Sequence, residues 1–202
     1  MRFFVVSYFA STNLEQAVSG EITASMNDSA DKIDGWIGEK KQIAVSAANV
    51  MAKEDDGTKS LEELRRYLAI AGEDTNEVSD LIVGNRDEQI VGYRAGDLTA
   101  KMKPTELRFY KESQEAGKAI FMDTYVDKIT GKLVVSIATP YKDASGANRG
   151  AICEDIFLDI LQGEAQAMKY HGEGTGYIID NTGKIIATED SEVNGQQASE
   201  SV

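Results

Sequence analysis

The chain has 202 residues, of which 42% are hydrophobic and 27% charged, a globular composition with room for one or two domains. Its 21 Lys and Arg stand against 34 Asp and Glu; the formal charge of −13 repels phosphate backbones and anionic lipid, so nucleic acid is not an expected partner. One cysteine, Cys153, and one histidine, His171, exclude a disulfide framework and the usual zinc constellations, and leave a Ser/His/Asp triad a single His in a Gly-rich segment. The acidic residues are scattered through helices and turns and read as a solvated surface, while Cys153, beside Ile152 and near Ile156, reads as a small buried hydrophobe.

At the N-terminus, Phe3 to Ala10 is apolar and rich in aromatic residues (Phe3, Phe4, Tyr8, Phe9) but far shorter than the about 20 residues that span a bilayer. Its composition is that of a helix end at a membrane interface, so residues 1–11 are expected to be the outer end of a transmembrane helix or a flexible start. From Thr12 to Ala52 apolar residues recur three or four apart, at Leu14, Val18, Ile22, Met26, Ile33, Ile37, Ile43, Ala47 and Val50. This predicts a long spine helix within 12–56, with Gly35 as the place where it would break into two.

Glu54-Asp55-Asp56-Gly57 ends that helix, and Ser60-Leu61-Glu62-Glu63 opens a second one through a Ser-x-x-Glu capping box, with Leu61, Leu64 and Leu68 facing inward and Gly72 as its C-cap. Leu81-Ile82-Val83 and Gln89 to Tyr93 flank the turn residues Gly84 to Asp87 and predict a hairpin. Pro104 opens a third helix that Gly117 closes. Three strands follow, Ile120–Val126, Leu133–Tyr141 and Gly150–Leu158, separated by Thr130-Gly131 and Ser145-Gly146, as an antiparallel meander. A helix over Ile160–Lys169 leads to a last hairpin, Tyr177–Asp180 and Lys184–Thr188 around Asn181-Thr182-Gly183. A lone hairpin is no domain, so residues from about Tyr170 read as the start of a second sheet module.

This order of elements resembles the double Cache (PAS-like) sensory domains of methyl-accepting chemotaxis proteins and related transmembrane sensors. The most specific stretch is Gly174-Thr175-Gly176-Tyr177-Ile178-Ile179-Asp180-Asn181-Thr182-Gly183-Lys184-Ile185-Ile186-Ala187, which is similar to the opening of the family's membrane-proximal module. Members that bind amino acids carry Arg-x-Trp-Tyr on a helix, then Tyr-x-Asp, then an Asp on the last strand. Here Leu107-Arg108-Phe109-Tyr110, Tyr125-Val126-Asp127 and Asp155 stand in those places. The second and third match. The first departs, with Leu107 where the arginine falls, Phe109 for tryptophan, and Arg108 displaced by about 100° around the helix.

The resemblance implies an α+β fold: a long N-terminal helix, a PAS-like (Cache) module with a central antiparallel sheet flanked by helices over 57–165, and the start of a truncated second module over 166–202. It further implies a non-enzymatic, extracytoplasmic sensor at the cell membrane, a chemoreceptor first, that binds a small molecule such as an amino acid, amine or carboxylate. The alternatives are a scaffold module of the same fold with no ligand, or the sensor of a histidine kinase or cyclic-dinucleotide enzyme. The implied binding residues are Arg108, Phe109, Tyr110, Tyr125, Asp127 and Asp155. Partners would be the ligand, a second copy along the long helix, and the membrane through flanking helices; no cofactor or metal is expected.

Strand alternation gives a separate reading of the same residues, since Phe121, Asp123, Tyr125 and Asp127 share one face of a continuous strand and Cys153, Asp155 and Phe157 one face of theirs. Carboxylates there would hold an ammonium group while aromatic rings cover an apolar remainder. Asp127 also fits a turn-closing role at its hairpin. Asp155 between Cys153 and Phe157 must meet either a ligand or a buried donor, because an unpaired carboxylate is costly to bury.

Overall fold

The apolar spacing of the N-terminal region produces one helix: in the computed structural model, which describes residues 4–8, 16–71, 77–127, 130–169, 172–180 and 182–198, α1 runs from Gln16 to Glu54 without a break at Gly35. At 1.5 Å per residue it extends about 58 Å. Its buried row of Ile33, Ile37, Ala44, Ala47, Ala48 and Met51 keeps the three-to-four spacing. No described helix is long and apolar enough to cross a membrane. Gly72, His171 and Asn181 lie outside the described residues.

Helix α2 (Leu61–Ala71) begins at the predicted capping box. The Ser60 amide and hydroxyl both donate to Glu63 Oε2, at 2.8 and 2.7 Å, and the Glu63 amide donates back to Ser60 Oγ at 3.3 Å. Leu64 and Leu68 are buried.

The described residues fall into two compact units. The larger joins Glu39–Asp123 to Val134–Phe157. Its strands are β2 (Val78–Asn85), β3 (Ile90–Gly92), β4 (Gly96–Asp97), β5 (Ile120–Phe121), β7 (Leu133–Lys142) and β8 (Asn148–Phe157). They form an antiparallel sheet in the order β4-β3-β2-β8-β7-β5. A short 3-10 turn at Pro104–Glu106 leads into α3 (Arg108–Ala116), which ends at Gly117 in the left-handed conformation, φ 64°.

One side of this sheet carries the cluster of Ile82, Ile90, Leu98, Phe109, Ile120, Met122, Ala138, Ala151 and Cys153, to which α3 contributes Phe109 and Tyr110. On the opposite side Leu81, Val83, Ile137, Ile152, Glu154 and Ile156 are buried, and Ile43 of α1 lines one cavity with Val78, Leu81 and Glu154. The sequence expectation of one continuous strand over Ile120–Val126 does not hold, because Met122 to Thr124 leave the strand conformation between β5 and β6 (Tyr125–Val126).

The second unit contains the described residues up to Gly38, Thr124–Leu133 and those from Leu158 onward. Its sheet has the order β1-β9-β10, where β1 is Phe4–Tyr8, β9 Thr175–Ile179 and β10 Ile185–Thr188. The apolar run expected to end a helix is thus extended backbone, paired antiparallel with β9 from Phe4↔Ile179 to Tyr8↔Thr175. Aromatic and β-branched residues suit a strand as well as a membrane interface, and the partner strand decides. Helix α4 (Asp159–Ala167) buries Leu161 and Ala165 within this unit, as β9 and β10 bury Ile178 and Ile186. Gly176 permits that closeness, since a Cβ there would collide with the Ala165 carbonyl and with Met168.

Candidate ligand-binding face

Register determines which side chains share the α3 side of the large unit. In β8 the pairs Ala138↔Cys153↔Ile82 and Ser136↔Asp155↔Asp80 form adjacent rows across β7, β8 and β2. Residues directly opposite on antiparallel strands lie on one face, and the face changes at each step. Asp155 therefore lies on the face of Cys153 and of Phe109, as the alternation of β8 predicts. It is 8% exposed.

The donor that a buried Asp155 requires comes from β7. Ser136 Oγ donates to Asp155 Oδ1 at 2.5 Å, and Cys153 Sγ donates to the same oxygen at 3.4 Å. Burial and the neighbouring Asp155 charge push the Cys153 thiol well above its usual range, so it stays a neutral donor. Sequence reasoning did not single out Ser136; a hydroxyl amid Val134, Val135, Ile137 and Ala138 is the signal that was available.

Asp80, at the far end of the same row, was also missed. Its Oδ1 accepts from the amides of Leu81 at 2.8 Å and Arg94 at 2.9 Å, and its Oδ2 from Ala95 at 2.9 Å. It shapes the turn between β3 and β4.

The other residues named from the sequence divide. Phe109 is buried in the core cluster, and Tyr110 packs partly buried against it. Burial, and after it the charge of Glu88, keep the Tyr110 phenol above its usual value, so it remains protonated and able to donate. Arg108 is exposed on the outer side of α3, its side chain 65% accessible, where it pairs with Glu112 at 2.7 Å and with Asp123 at 3.6 Å. Phe121 pairs with Ile137, which is opposite Glu154, so it shares a row with Glu154 and not with Asp155. The expected convergence of Phe121 with Asp155 is corrected by that register.

Tyr125 and Asp127 belong to the second unit. Tyr125 is exposed. Asp127 closes the hairpin turn: its Oδ2 accepts from the Thr130 amide at 3.1 Å and hydroxyl at 2.6 Å, its carbonyl from Gly131 N at 2.8 Å, and its amide donates to the Lys132 carbonyl at 2.9 Å. Among the described residues no group of His, Cys, Asp and Glu is arranged to hold a metal ion.

No family model matches the chain. Among curated proteins it is similar to the methyl-accepting chemotaxis protein TlpB of Bacillus subtilis, 24% identical over 192 residues, covering 91% of this chain and 28% of the relative. The methyl-accepting chemotaxis protein PscA of Pseudomonas syringae pv. tomato is 26% identical over 192 residues, covering 95% of this chain and 30% of that relative. The chain thus spans less than a third of the length of either.

Among solved structures, the ligand-binding domain of the Pseudomonas aeruginosa amino-acid chemoreceptor PctC in complex with GABA superposes with a TM-score of 0.75 at 17% identity, over 90% of this chain and 79% of that one. The ligand-binding domain of the Pseudomonas fluorescens chemoreceptor CtaA with L-serine gives 0.71 at 18% identity, over 91% and 78%. That of Mlp24 with asparagine gives 0.68 at 20% identity, over 90% and 78%. The long helix, the antiparallel sheet and its flanking helices are therefore the α+β fold of chemoreceptor ligand-binding (Cache-type) domains, and the curated relatives of this chain are methyl-accepting chemotaxis proteins.

Proposed function

We propose that this chain is the extracytoplasmic ligand-binding region of a transmembrane chemotaxis receptor, and that the α3 side of the large unit takes a small molecule bearing an amine or an amino-acid head group. In this reading residues 57–165 form the membrane-distal binding module and 166–202 open the proximal one. The observation that carries it is Asp155, a nearly buried carboxylate on the face it shares with Phe109 and Tyr110, with Ser136 holding Oδ1. A carboxylate accepts several charge-assisted hydrogen bonds, which suits it to an ammonium group.

The bound amino acids and GABA of the structural neighbours support the same chemistry. Phe109 and Tyr110 would cover an apolar remainder. Arg108 is assigned the supporting role of a carboxylate clamp that must first leave Glu112. The receptor would pair with a second copy along α1 and reach the membrane through segments flanking the domain. It binds and releases its ligand without transforming it.

A thermal-shift panel of amino acids, GABA, aliphatic amines, dicarboxylates and purines tests this, because a ligand that binds the folded form raises stability by RT ln(1 + [L]/Kd), about 2.7 kcal/mol at a hundredfold excess over Kd. Amino acids or amines are expected to raise Tm, and Asp155→Ala to abolish the shift. A panel without a hit, or a hit that Asp155→Ala leaves intact, overturns the assignment.

A further inference from the structure

Glu154, the neighbour of Asp155 on β8, points to the other side of the sheet, toward α1. Its side chain is fully buried, and neither carboxyl oxygen has a hydrogen-bond partner of ordinary geometry. Across the sheet its row contains Leu81 and Ile137, which offer it nothing polar. A cavity of about 20 Å³ opens beside it, lined by Ile43, Val78, Asp80, Leu81, Tyr93 and Arg94. That volume admits about one water molecule.

Near this carboxyl, α1 brings Lys40, itself buried and paired at 2.5 Å with Glu77 just before β2. Burial drives the Glu154 carboxyl up to about 8; the Lys40 charge and the Ala44 amide pull it back down, and the Asp155 charge adds to the rise. The charged and titratable groups near it are Lys40 from α1, Glu77 just before β2, Asp80, Tyr93 and Arg94 around the cavity, and Asp155, which points to the other face of the same strand. Asp80 is committed to three backbone amides, and Glu77 pairs with the Lys40 ammonium.

We infer that Glu154 is a proton-binding site that couples the sheet to the long helix through Lys40. When neutral, Glu154 leaves the ammonium to Glu77. When ionised, it is a buried anion that the Ala44 amide compensates only in part, and it competes with Glu77 for Lys40, which draws that turn of α1 onto the sheet. Two arrangements with different proton affinity are all that a proton-linked shift requires. The inference involves neither Asp155 as a ligand anchor nor any bound small molecule, so it stands or falls apart from the proposed function.

The test is a carbon-13 titration of the Glu carboxyls in the full 202-residue chain, with the Glu154 signal assigned from Glu154→Gln. Glu154 is expected to titrate near 8. Glu77→Gln removes the anion that competes for Lys40 and is expected to lower that midpoint by about 1 unit or more, as a stronger pull from an opposite charge on a carboxyl does. Amide exchange in α1 around Lys40, corrected for its intrinsic pH dependence, is expected to change across the same range in the native chain and not in Glu154→Gln. Titration of Glu154 in the ordinary carboxylate range, a midpoint that ignores Glu77→Gln, or exchange profiles that are the same in the native chain and Glu154→Gln overturn the inference.

Discussion

Arg149 on β8 and Asp55, 94 positions earlier at the end of α1, form an ion pair of 2.7 Å between Nη2 and Oδ1 with side chains only 3% and 1% exposed. The pair is enclosed by further polar contacts. Arg149 Nε donates to the Asp55 carbonyl at 3.2 Å and Nη1 to Asp87 at 2.5 Å, while Asp55 Oδ2 accepts from Tyr141 Oη at 2.6 Å and Asn85 Nδ2 at 3.2 Å. The end of the long helix is thereby tied to β2, β7 and β8 in a polar network whose central pair is buried.

Removing one member of such a pair leaves the other charge buried and uncompensated. Asp55→Ala is expected to cost about 3 to 5 kcal/mol in urea denaturation. Tyr141→Phe deletes one hydrogen bond to a charged acceptor and should cost about 1.5 to 3 kcal/mol. Burial and the Asp55 charge hold the Tyr141 phenol well above its usual range, so it remains a donor to Asp55 at neutral and mildly alkaline pH. Equal, small effects of both variants would mean that the network adds nothing beyond packing.

Gly92 and Gly35 should respond oppositely to the same change. A Cβ on Gly92 would collide with Oδ2 of Asp80, which holds the Ala95 amide, so Gly92→Ala must displace the carboxylate that organises the β3–β4 turn. Each amide left unsatisfied costs about 1 to 3 kcal/mol. A Cβ on Gly35, in mid-α1, meets nothing within 4 Å, so Gly35→Ala is expected to stabilise by about 1 kcal/mol, the helix-propensity difference. Denaturation midpoints of the two variants moving in the same direction would contradict this.

These contrasts mark what was legible in the sequence. Local signals were: the spacing along α1, the Ser60 and Glu63 box, the Gly117 cap and the β2–β3 hairpin each depend on residues a few positions apart. Asp155 was legible because an acid amid apolar neighbours on an inward face demands an explanation. Its partner Ser136, the opposite face of Phe121, and the Asp55–Arg149 pair depend on strand register or on distant contacts, which no short window encodes. Phe4–Tyr8 makes the point most clearly, since its strand exists only through β9, far along the chain.

Cys153 tests the dryness of the α3 side. Thiol reagents need the thiolate, and the Cys153 thiol is held neutral by burial, by the Asp155 charge and by its bond to that carboxylate. At mildly alkaline pH the native chain is expected to react with a disulfide reagent orders of magnitude more slowly than the same chain in denaturant. Asp155→Asn removes the adjacent charge and should leave that slow rate governed by burial alone. Rapid labelling of the folded chain would mean that this face opens to solvent on the time scale of the reaction.

Arg108 lies outside this dry region, and its pairing predicts little for stability. An exposed pair four residues apart on a helix contributes about 0.3 to 0.5 kcal/mol, so Arg108→Ala should lower stability by no more than that. For a ligand without a carboxylate, its affinity should be unchanged. A selective loss for carboxylate ligands would mean that the guanidinium exchanges Glu112 for the ligand, restoring the role that the displaced motif position puts at issue.

Glu154 predicts how stability changes with pH, and the sign follows from linkage. Its folded-state value of about 8 lies above the ordinary 4.5, so between those values the folded chain retains a proton that the unfolded chain has released. Ionisation is then the unfolded state's advantage, and this group's contribution to stability falls as pH rises through that window, levelling off above the folded value. The slope is at most about 1.4 kcal/mol per pH unit. Glu154→Gln keeps the shape of the neutral acid and cannot ionise, so the difference in unfolding free energy between it and the native chain should widen in the variant's favour across the window and be flat above it. The titrations of groups that do not interact with Glu154 cancel in that difference. Parallel stability profiles would mean that the Lys40 charge and the Ala44 amide stabilise the Glu154 carboxylate enough to offset its burial in the folded chain.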